Sequence, residues 1–438
     1  MSNSNFVDRC KAILQDKNFI KYYGKVSQVV GLTIESVGPI SNIGDVCEIR
    51  SINGTTVYAE VMGFKDDKVY LMPLGDMDGI GPGNSVVSTG QKLKIGVGKE
   101  LLGRVIDALG NPIDGKGAIK CKKLVSTNNT PPNPIERKRI SEVMTLGIKA
   151  IDGLLTCGKG QRIGIFAGSG VGKSTLLGMI ARNAKSDINV IALIGERGRE
   201  VNEFIEKDLG EDGLKRSILV VSTSDTPALM RVKGAMAATS IAEYFRDQGL
   251  DVLLMMDSVT RFAMAQREIG LSIGEAPVSR GYTPSVFSVL PKLLERAGSS
   301  KHGSITALYT VLVDGDDLNE PITDAVRGIL DGHIVLSRKL ANKGQYPAID
   351  VLSSISRVMN DIVTDEHKNL SLRFKNILSV YEESEDLINI GAYAKGSNPK
   401  IDEAILLHDD MINYIKQSTN EKYDFDDEIN MLKNILNR

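Results

Sequence analysis

At 438 residues the chain is too long for one compact core, so two or three domains are expected. A formal charge of -2 excludes any global attraction to nucleic acid or anionic membrane, leaving only a local basic patch open, and no run of about 18 apolar residues argues for a membrane-spanning helix. Cys10, Cys47, Cys121 and Cys157 lack metal-type spacing, and no N-terminal apolar segment resembles a signal peptide, so a reducing cytoplasm fits best.

In chain order, the stretch before residue 24 carries Phe6, Val7, Cys10, Ala12, Ile13 and Leu14, which suit an amphipathic helix that either serves a partner or caps the adjoining domain. Residues 24–87 alternate in short runs, Asp45-Val-Cys-Glu-Ile-Arg-Ser51, Val57-Tyr-Ala-Glu-Val-Met62 and Val69-Tyr-Leu-Met72. Asn53-Gly54 between two of them is a strong hairpin signal, and a small antiparallel barrel is expected. Residues 90–134 are rich in turns, with Gly110-Asn-Pro-Ile-Asp-Gly115 and Thr130-Pro-Pro-Asn-Pro134, and read as a linker wrapping into the next unit. From 140 to about 359 near-continuous apolar runs alternate with helical stretches. The runs Val190-Ile-Ala-Leu-Ile-Gly195, Ile218-Leu-Val-Val-Ser222, Val252-Leu-Leu-Met-Met-Asp257 and Ile305-Thr-Ala-Leu-Tyr-Thr-Val311 suit parallel strands covered on both faces. After Asp361 the chain turns polar and helical, with Ile401, Ile405, Leu406, Met411, Ile412 and Ile415 at helical spacing.

The stretch Ile163-Gly-Ile-Phe-Ala-Gly-Ser-Gly-Val-Gly-Lys-Ser-Thr175 breaks from an apolar strand into glycines and then into a helix. Ala167, Gly168, Ser169, Gly170, Val171, Gly172, Lys173, Ser174 and Thr175 have the spacing of a phosphate cradle. Glycines let successive backbone N–H groups point at a polyphosphate, Lys173 meets the β and γ phosphates, and the Ser174 hydroxyl ligates Mg²⁺. A ligand-free strand-to-helix turn is the alternative. Ala167 stands where the usual pattern has a first glycine, and a small residue fits there. A hydrolase also needs a metal carboxylate and a water activator. Asp257 closes an apolar strand and suits the first role, or else caps the next helix. Glu196 ends another strand in Gly195-Glu-Arg-Gly-Arg-Glu200 and suits the second, although a glutamate among charges is commonly a solvated loop.

Several longer stretches carry a family resemblance: Met72-Pro-Leu-Gly-Asp-Met-Asp-Gly-Ile-Gly-Pro82, Gly103-Arg-Val-Ile-Asp-Ala-Leu-Gly-Asn-Pro-Ile-Asp-Gly115, the segment 167–175, Gly195 to Glu200, Asp257-Ser-Val-Thr-Arg-Phe262 and Gly274-Glu-Ala-Pro-Val-Ser-Arg-Gly-Tyr-Thr-Pro-Ser-Val-Phe-Ser-Val-Leu-Pro291. The sequence resembles the catalytic ATPases of flagellar and type III protein export, which are related to the catalytic subunits of rotary ATP synthases. The resemblance implies an α/β RecA-like P-loop core with a mainly parallel sheet, an N-terminal antiparallel β-barrel and a C-terminal helical domain. The corresponding divisions are 1–23 for a partner-binding segment, 24–89 for the barrel, 90–362 for the ATPase core and 363–438 for the helices.

By the same resemblance Glu196 positions and polarises the attacking water, with Arg197 and Glu200 nearby and Glu200 in the outer shell of the metal. Asp257 holds Mg²⁺ partly through water, Mg²⁺ with ATP being the cofactor, and Arg261 sits beside the site. Tyr346, in Gln345-Tyr-Pro-Ala-Ile-Asp350, matches the aromatic that packs on adenine, against the alternative of a core tyrosine at a strand end. Arg357, in Ser353-Ser-Ile-Ser-Arg357, matches the arginine finger that enters a neighbouring subunit's site. One chain carrying both halves of the site implies a homohexameric ring. The implied partners are a stator-like regulator at the N-terminal segment, a central stalk protein, a membrane export gate, and exported flagellar proteins with their chaperones near the C-terminal domain, with no nucleic acid. The implied place is the cytoplasm, peripherally on the inner face of the membrane. The competing functions are a rotary-synthase subunit, disfavoured by the wording of residues 274–291, and a ring translocase for RNA, for which Tyr58, Phe64 and Tyr70 amid mixed charges offer little beyond barrel packing.

Overall fold

The computed structural model describes residues 23–51, 53–313, 315 and 317–437. The expected N-terminal helix with Phe6, Val7, Cys10, Ala12, Ile13 and Leu14 lies outside the described residues. The described residues form two compact units, one running up to Leu93 and taking in Ser272–Gly274, the other comprising the rest from Lys94 onward.

In the first unit, strands β1 (Tyr23–Val30), β2 (Thr33–Val37), β3 (Asp45–Arg50), β4 (Thr56–Lys65), β5 (Lys68–Pro73) and β6 (Ser85–Lys92) close into a barrel in the order β1-β2-β5-β4-β3-β6. Alternation drives this: Val26, Ile34, Cys47, Ile49, Ala59, Val61, Val69, Leu71 and Val86 point inward and form its core. The β3–β4 hairpin turns at Gly54, which takes φ +84. The β4–β5 hairpin turns on Asp66 and Asp67, both left-handed at φ 49 and 61, so an Asp-Asp pair fills the two-residue turn more usually given to Asn-Gly.

The second unit is built on a nine-stranded sheet. Before it, β7 (Lys94–Val97) pairs with β9 (Lys123–Ser126) as a ribbon, and β8 (Val105–Ile106) joins the main sheet itself. The turn-rich stretch is therefore more than a linker. Arg104 donates twice to the Asp114 carboxylate, from Nε at 2.7 Å and from a terminal nitrogen at 2.9 Å, folding the loop back so that Val105 and Ile106 can pair. The main strands are β10 (Arg162–Ala167), β11 (Ile188–Ile194), β12 (Ser217–Ser222), β13 (Asp251–Asp257), β14 (Gly298–Ser299), β15 (Ser304–Leu312), β16 (Gly332–Leu336) and β17 (Ile349–Ser356). Their order is β17-β16-β10-β15-β13-β11-β12-β8, parallel from β16 to β8, with β17 antiparallel at one edge and β14 antiparallel on β15. The expected apolar runs are the central strands, buried along nearly their whole length.

Three helices complete the chain, Asp365–Asn389, Pro399–Ile415 and Phe425–Leu436. The first is capped by Thr364, whose hydroxyl accepts from His367 N, with Asp365 and Glu366 in the first turn. Phe374, Leu407, Met411, Tyr414, Leu432 and Leu436 share one buried cluster with Ile163 and Ile165 of β10, so apolar burial welds the helices to the sheet. Among the described residues no helix is long and apolar enough to cross a membrane.

Candidate active site

Parallel strands deliver their carboxyl ends, and the loops beyond them, to one edge of the sheet. β10 ends at Ala167, and the segment 168–172 curls into the helix Lys173–Asn183. Gly172 takes φ +89 and has no capping side chain, so the first N–H groups of that helix stay available to an anion. Ser169, Gly170 and Ser174 are exposed on the loop, while Ala167, Gly168 and Val171 are buried beneath it.

The Lys173 ammonium reaches across to the ends of two other strands. Its Nζ stands 2.6 Å from Asp257 Oδ1, at the end of β13, and 3.4 Å from Glu196 Oε1, just past β11. Burial works against that charge, but the two carboxylates outweigh it and hold the lysine above its ordinary pKa. Glu196 is pushed up to about 7, first by burial, then by the negative charge of Asp257, against which Lys173 pulls down. Gly195 makes this placement workable. It takes φ +73, and a Cβ there would fall 2.7 Å from Arg261 Cβ. Arg261 thus packs directly against Gly195, lines the same cleft, and among the described residues leaves its buried Nε without a partner.

The cleft holds about 580 Å³ and is walled by the phosphate loop, Thr175, Glu196, Arg197, Glu200, Arg261 and Leu312. Arg197 is the outlying member, its side chain 80% exposed and 3.8 Å from Glu200. Two neighbours carry no sequence signal. Thr310 of β15, the strand inserted between β10 and β13, donates from Oγ1 to Asp257 Oδ1 at 2.7 Å. Only the strand order, which periodicity does not encode, could have placed it there. Asp208, in the π-helical segment Phe204–Leu209, also lines the cleft and accepts from the Thr175 side chain. It comes this close because Gly178 has no side chain: a Cβ there would fall 2.6 Å from the Asp208 backbone oxygen.

Tyr346 is 48% exposed, so it is not a core tyrosine, and its ring lies 3.5 Å or less from where a Cβ on Gly172 would stand. Arg357 is elsewhere. β17 runs antiparallel to β16, so its start, Ile349, pairs with Leu336 near Ala167, and its end lies at the opposite edge. Arg357 N donates to Asp331 O at 3.1 Å, and Asp331 in turn accepts from Arg162 at the first residue of β10. Five residue steps along β10, roughly 17 Å, separate that edge from Ala167. The Arg357 side chain is exposed and, among the described residues, forms no ion pair.

A glycine loop opening into a helix N-terminus, a lysine shared by two carboxylates at neighbouring strand ends, and a parallel sheet beneath them define the P-loop nucleotide hydrolase class. Similarity to known proteins narrows the class. Residues 147–356 match the ATP synthase alpha/beta family, nucleotide-binding domain; residues 26–90 match the beta-barrel domain of that family; residues 363–434 match the T3SS EscN ATPase C-terminal domain. The chain is 62% identical over 403 residues to the flagellum-specific ATP synthase of Bacillus subtilis (strain 168), covering 92% of each chain. It is 51% identical to the type 3 secretion system ATPase of Xanthomonas euvesicatoria over 94% of each chain. It superposes on the assembled ATPase EscN from the type III secretion system of enteropathogenic E. coli with TM-score 0.90 at 49% identity, covering 94% of this chain and 100% of that one. The chain belongs to the flagellar and type III secretion ATPase family, and its reaction is ATP hydrolysis in the service of type III export.

Proposed function

We propose that this ATPase serves flagellar export, and that it works as a homohexameric ring in which Arg357 of each subunit completes the phosphate site of the next. The carrying observation is the separation within one chain. Arg357 leaves the sheet at the edge opposite its own Lys173, farther than an arginine side chain extends, and is exposed. An exposed arginine at that edge is free to meet a neighbour's phosphates. The solved relatives include EscN assembled and in complex with its central stalk EscO, which supports the ring and a stalk partner here.

In this reading the backbone N–H groups of 168–172 and Lys173 bind the β and γ phosphates of ATP, and Tyr346 packs on the adenine. The site offers only hard oxygen donors at the metal position, the Ser174 hydroxyl and the Asp257 carboxylate, which suits Mg²⁺ retained partly through water. Bound with ATP, Mg²⁺ would neutralise charge on the phosphates. Glu196 accepts the proton of the attacking water, with Glu200 in the outer shell and Arg197 and Arg261 near the γ-phosphate. A base near 7 is matched to proton transfer at neutral pH. Arg357 stabilises charge only as the phosphoryl group moves.

The remaining partners are those of the family: a stator-like regulator at the N-terminal segment, the membrane export gate, and exported proteins with chaperones near the C-terminal helices, where Leu387, Ile390 and Leu406 are exposed. The protein would act in the cytoplasm against the inner face of the membrane. Mixing tests the ring. Arg357→Ala and Lys173→Ala proteins, each inactive, should together regain activity, because a Lys173→Ala neighbour supplies the arginine that an intact phosphate site lacks. If subunit exchange is verified and every mixture stays inactive, Arg357 does not act in trans.

A further inference from the structure

β16 and β17 do not pair evenly. Between the pairs His333–Ile355 and Val335–Asp350, β17 carries more residues than β16, and the surplus, residues 351–354, bulges ahead of the two paired residues, Ile355 and Ser356, that lead to Arg357. Its Asp350 end is tied by its own residues and by the β16 backbone at Val335. Asp350 Oδ1 accepts from Leu352 N at 3.1 Å and Ser353 N at 2.9 Å, Oδ2 accepts from Ser353 Oγ at 2.9 Å, and Ser354 Oγ accepts from Val335 N at 2.9 Å. At the Ser353 carbonyl the holder is a side chain from another strand, His333, whose Nε2 stands 3.2 Å away. A carbonyl can only accept, so Nε2 carries the proton and donates.

The imidazole is itself braced from the phosphate-loop strand. Residue 164, directly opposite His333, is glycine, and a Cβ there would collide with the Phe166 ring at 2.3 Å. That ring therefore folds back over Gly164 and meets His333 edge-on, centroids 5.8 Å apart and planes at 78°. Phe166 immediately precedes Ala167. Burial, and then the positive charges of Arg327 and Arg357, hold His333 below its ordinary pKa against the opposing Ser353 hydrogen bond, while Asp324 pairs with Arg327 at 2.9 Å.

We infer that His333 is a positioning residue for Arg357: braced by Phe166 of the phosphate-loop strand, it fixes the β17 bulge through the Ser353 carbonyl and so sets the direction in which the arginine leaves its subunit. This rests on the trans-acting reading of Arg357. It also ties the strand that feeds a subunit's own phosphate loop to the arginine that subunit offers to its neighbour. Among the described residues the imidazole meets an edge-on ring and a carbonyl, both structural groups, so its effect on turnover passes through Arg357.

The mixing experiment separates the possibilities, because only one subunit type donates a working arginine. His333→Phe keeps a ring against Phe166 and removes the donor. Placed on the Lys173→Ala subunit, whose Arg357 does the work, it should cut the restored rate roughly 10- to 100-fold, the scale of a misplaced catalytic group, with KM for ATP unchanged. Placed on the Arg357→Ala subunit, it should leave the restored rate unchanged, and His333→Gln, which can still donate to Ser353 O, should recover rate on the Lys173→Ala subunit. Equal loss in both placements would assign His333 to its own phosphate loop and overturn the inference, as would no loss in either. Failure of the parent mixture despite subunit exchange would instead remove the trans-acting arginine, and this inference with it.

Discussion

Lys173 Nζ lies 2.6 Å from Asp257 Oδ1, so the lysine proposed to meet phosphate is held by the carboxylate at the end of β13. Phosphate oxygens must take that ammonium from Asp257 and Glu196, and the site pre-positions its charges by pairing them with each other. Removing the lysine consequently does two things. It deletes a phosphate contact, and it leaves two close carboxylates in a cleft without their counter-charge. Lys173→Ala should show no measurable turnover and at least about tenfold weaker nucleotide binding, since the loss exceeds one charge-assisted hydrogen bond. Titration with a fluorescent ATP analogue checks this, and unchanged affinity with unchanged turnover would remove the phosphate-loop assignment.

In its proposed role Glu196 must be ionised to take a proton from water, and burial with the nearby Asp257 charge raises its pKa to about 7. The active form is therefore the minor one below that value and the major one above it. The kcat/KM of the wild type should climb between pH 6 and pH 8 with its inflection near 7. Glu196→Gln keeps the shape, still binds nucleotide, and should lose about 10²-fold or more in turnover together with that inflection. Turnover within about twofold of wild type would pass the role to another carboxylate, Glu200 first.

Thr310 donates to Asp257 Oδ1 at 2.7 Å and is buried, so Thr310→Val keeps the volume and deletes one hydrogen bond to a charged group. Such bonds contribute about 1.5–3 kcal/mol. The expected result is roughly tenfold slower turnover and a higher Mg²⁺ concentration for half-maximal rate, together with a lower unfolding temperature, since the bond also contributes to folding. Wild-type Mg²⁺ dependence would show that Thr310 only fills space.

Much of this site was legible in the sequence because the residues sit at strand ends whose apolar runs are long and uninterrupted. Lys173, Glu196 and Asp257 lie far apart along the chain, yet each comes just after a run that reads as a buried parallel strand, and parallel strands bring their ends together. Thr310 was not legible, because it depends on β15 lying between β10 and β13, a matter of strand order. β8 was missed for a related reason. Its two residues are too short for any periodic signal, and the Arg104–Asp114 pair that holds them is visible only in three dimensions. Tyr346 was ambiguous in sequence, and its exposure beside Gly172 excludes a place in the core.

The C-terminal helices carry the last prediction. Glu428, fully buried on the helix Phe425–Leu436, faces Asp152, fully buried on the short helix Lys149–Leu154 and accepting from Leu146 N at 3.0 Å and Gly147 N at 2.6 Å. Burial, and for Glu428 next the charge of Asp152, raises both carboxyls, Asp152 to about 7 and Glu428 to about 9, against which Lys149 pulls Glu428 down. Unfolded carboxyls titrate near 4. A raised folded pKa means the folded chain keeps protons that the unfolded chain has already released. The pair's contribution is thus fully present below about pH 4 and is lost as pH rises through the folded values near 7 and 9. Each such proton steepens the loss by at most about 1.4 kcal/mol per pH unit. Urea unfolding of the wild type at pH 6 to 9 should show a falling midpoint, and Glu428→Gln, which removes one titrating group and keeps the shape, should flatten that fall and unfold at higher urea than wild type near pH 9. Parallel midpoint curves for the two proteins would mean that Glu428 is ionised in the folded chain throughout, and that another group balances its charge in the interior.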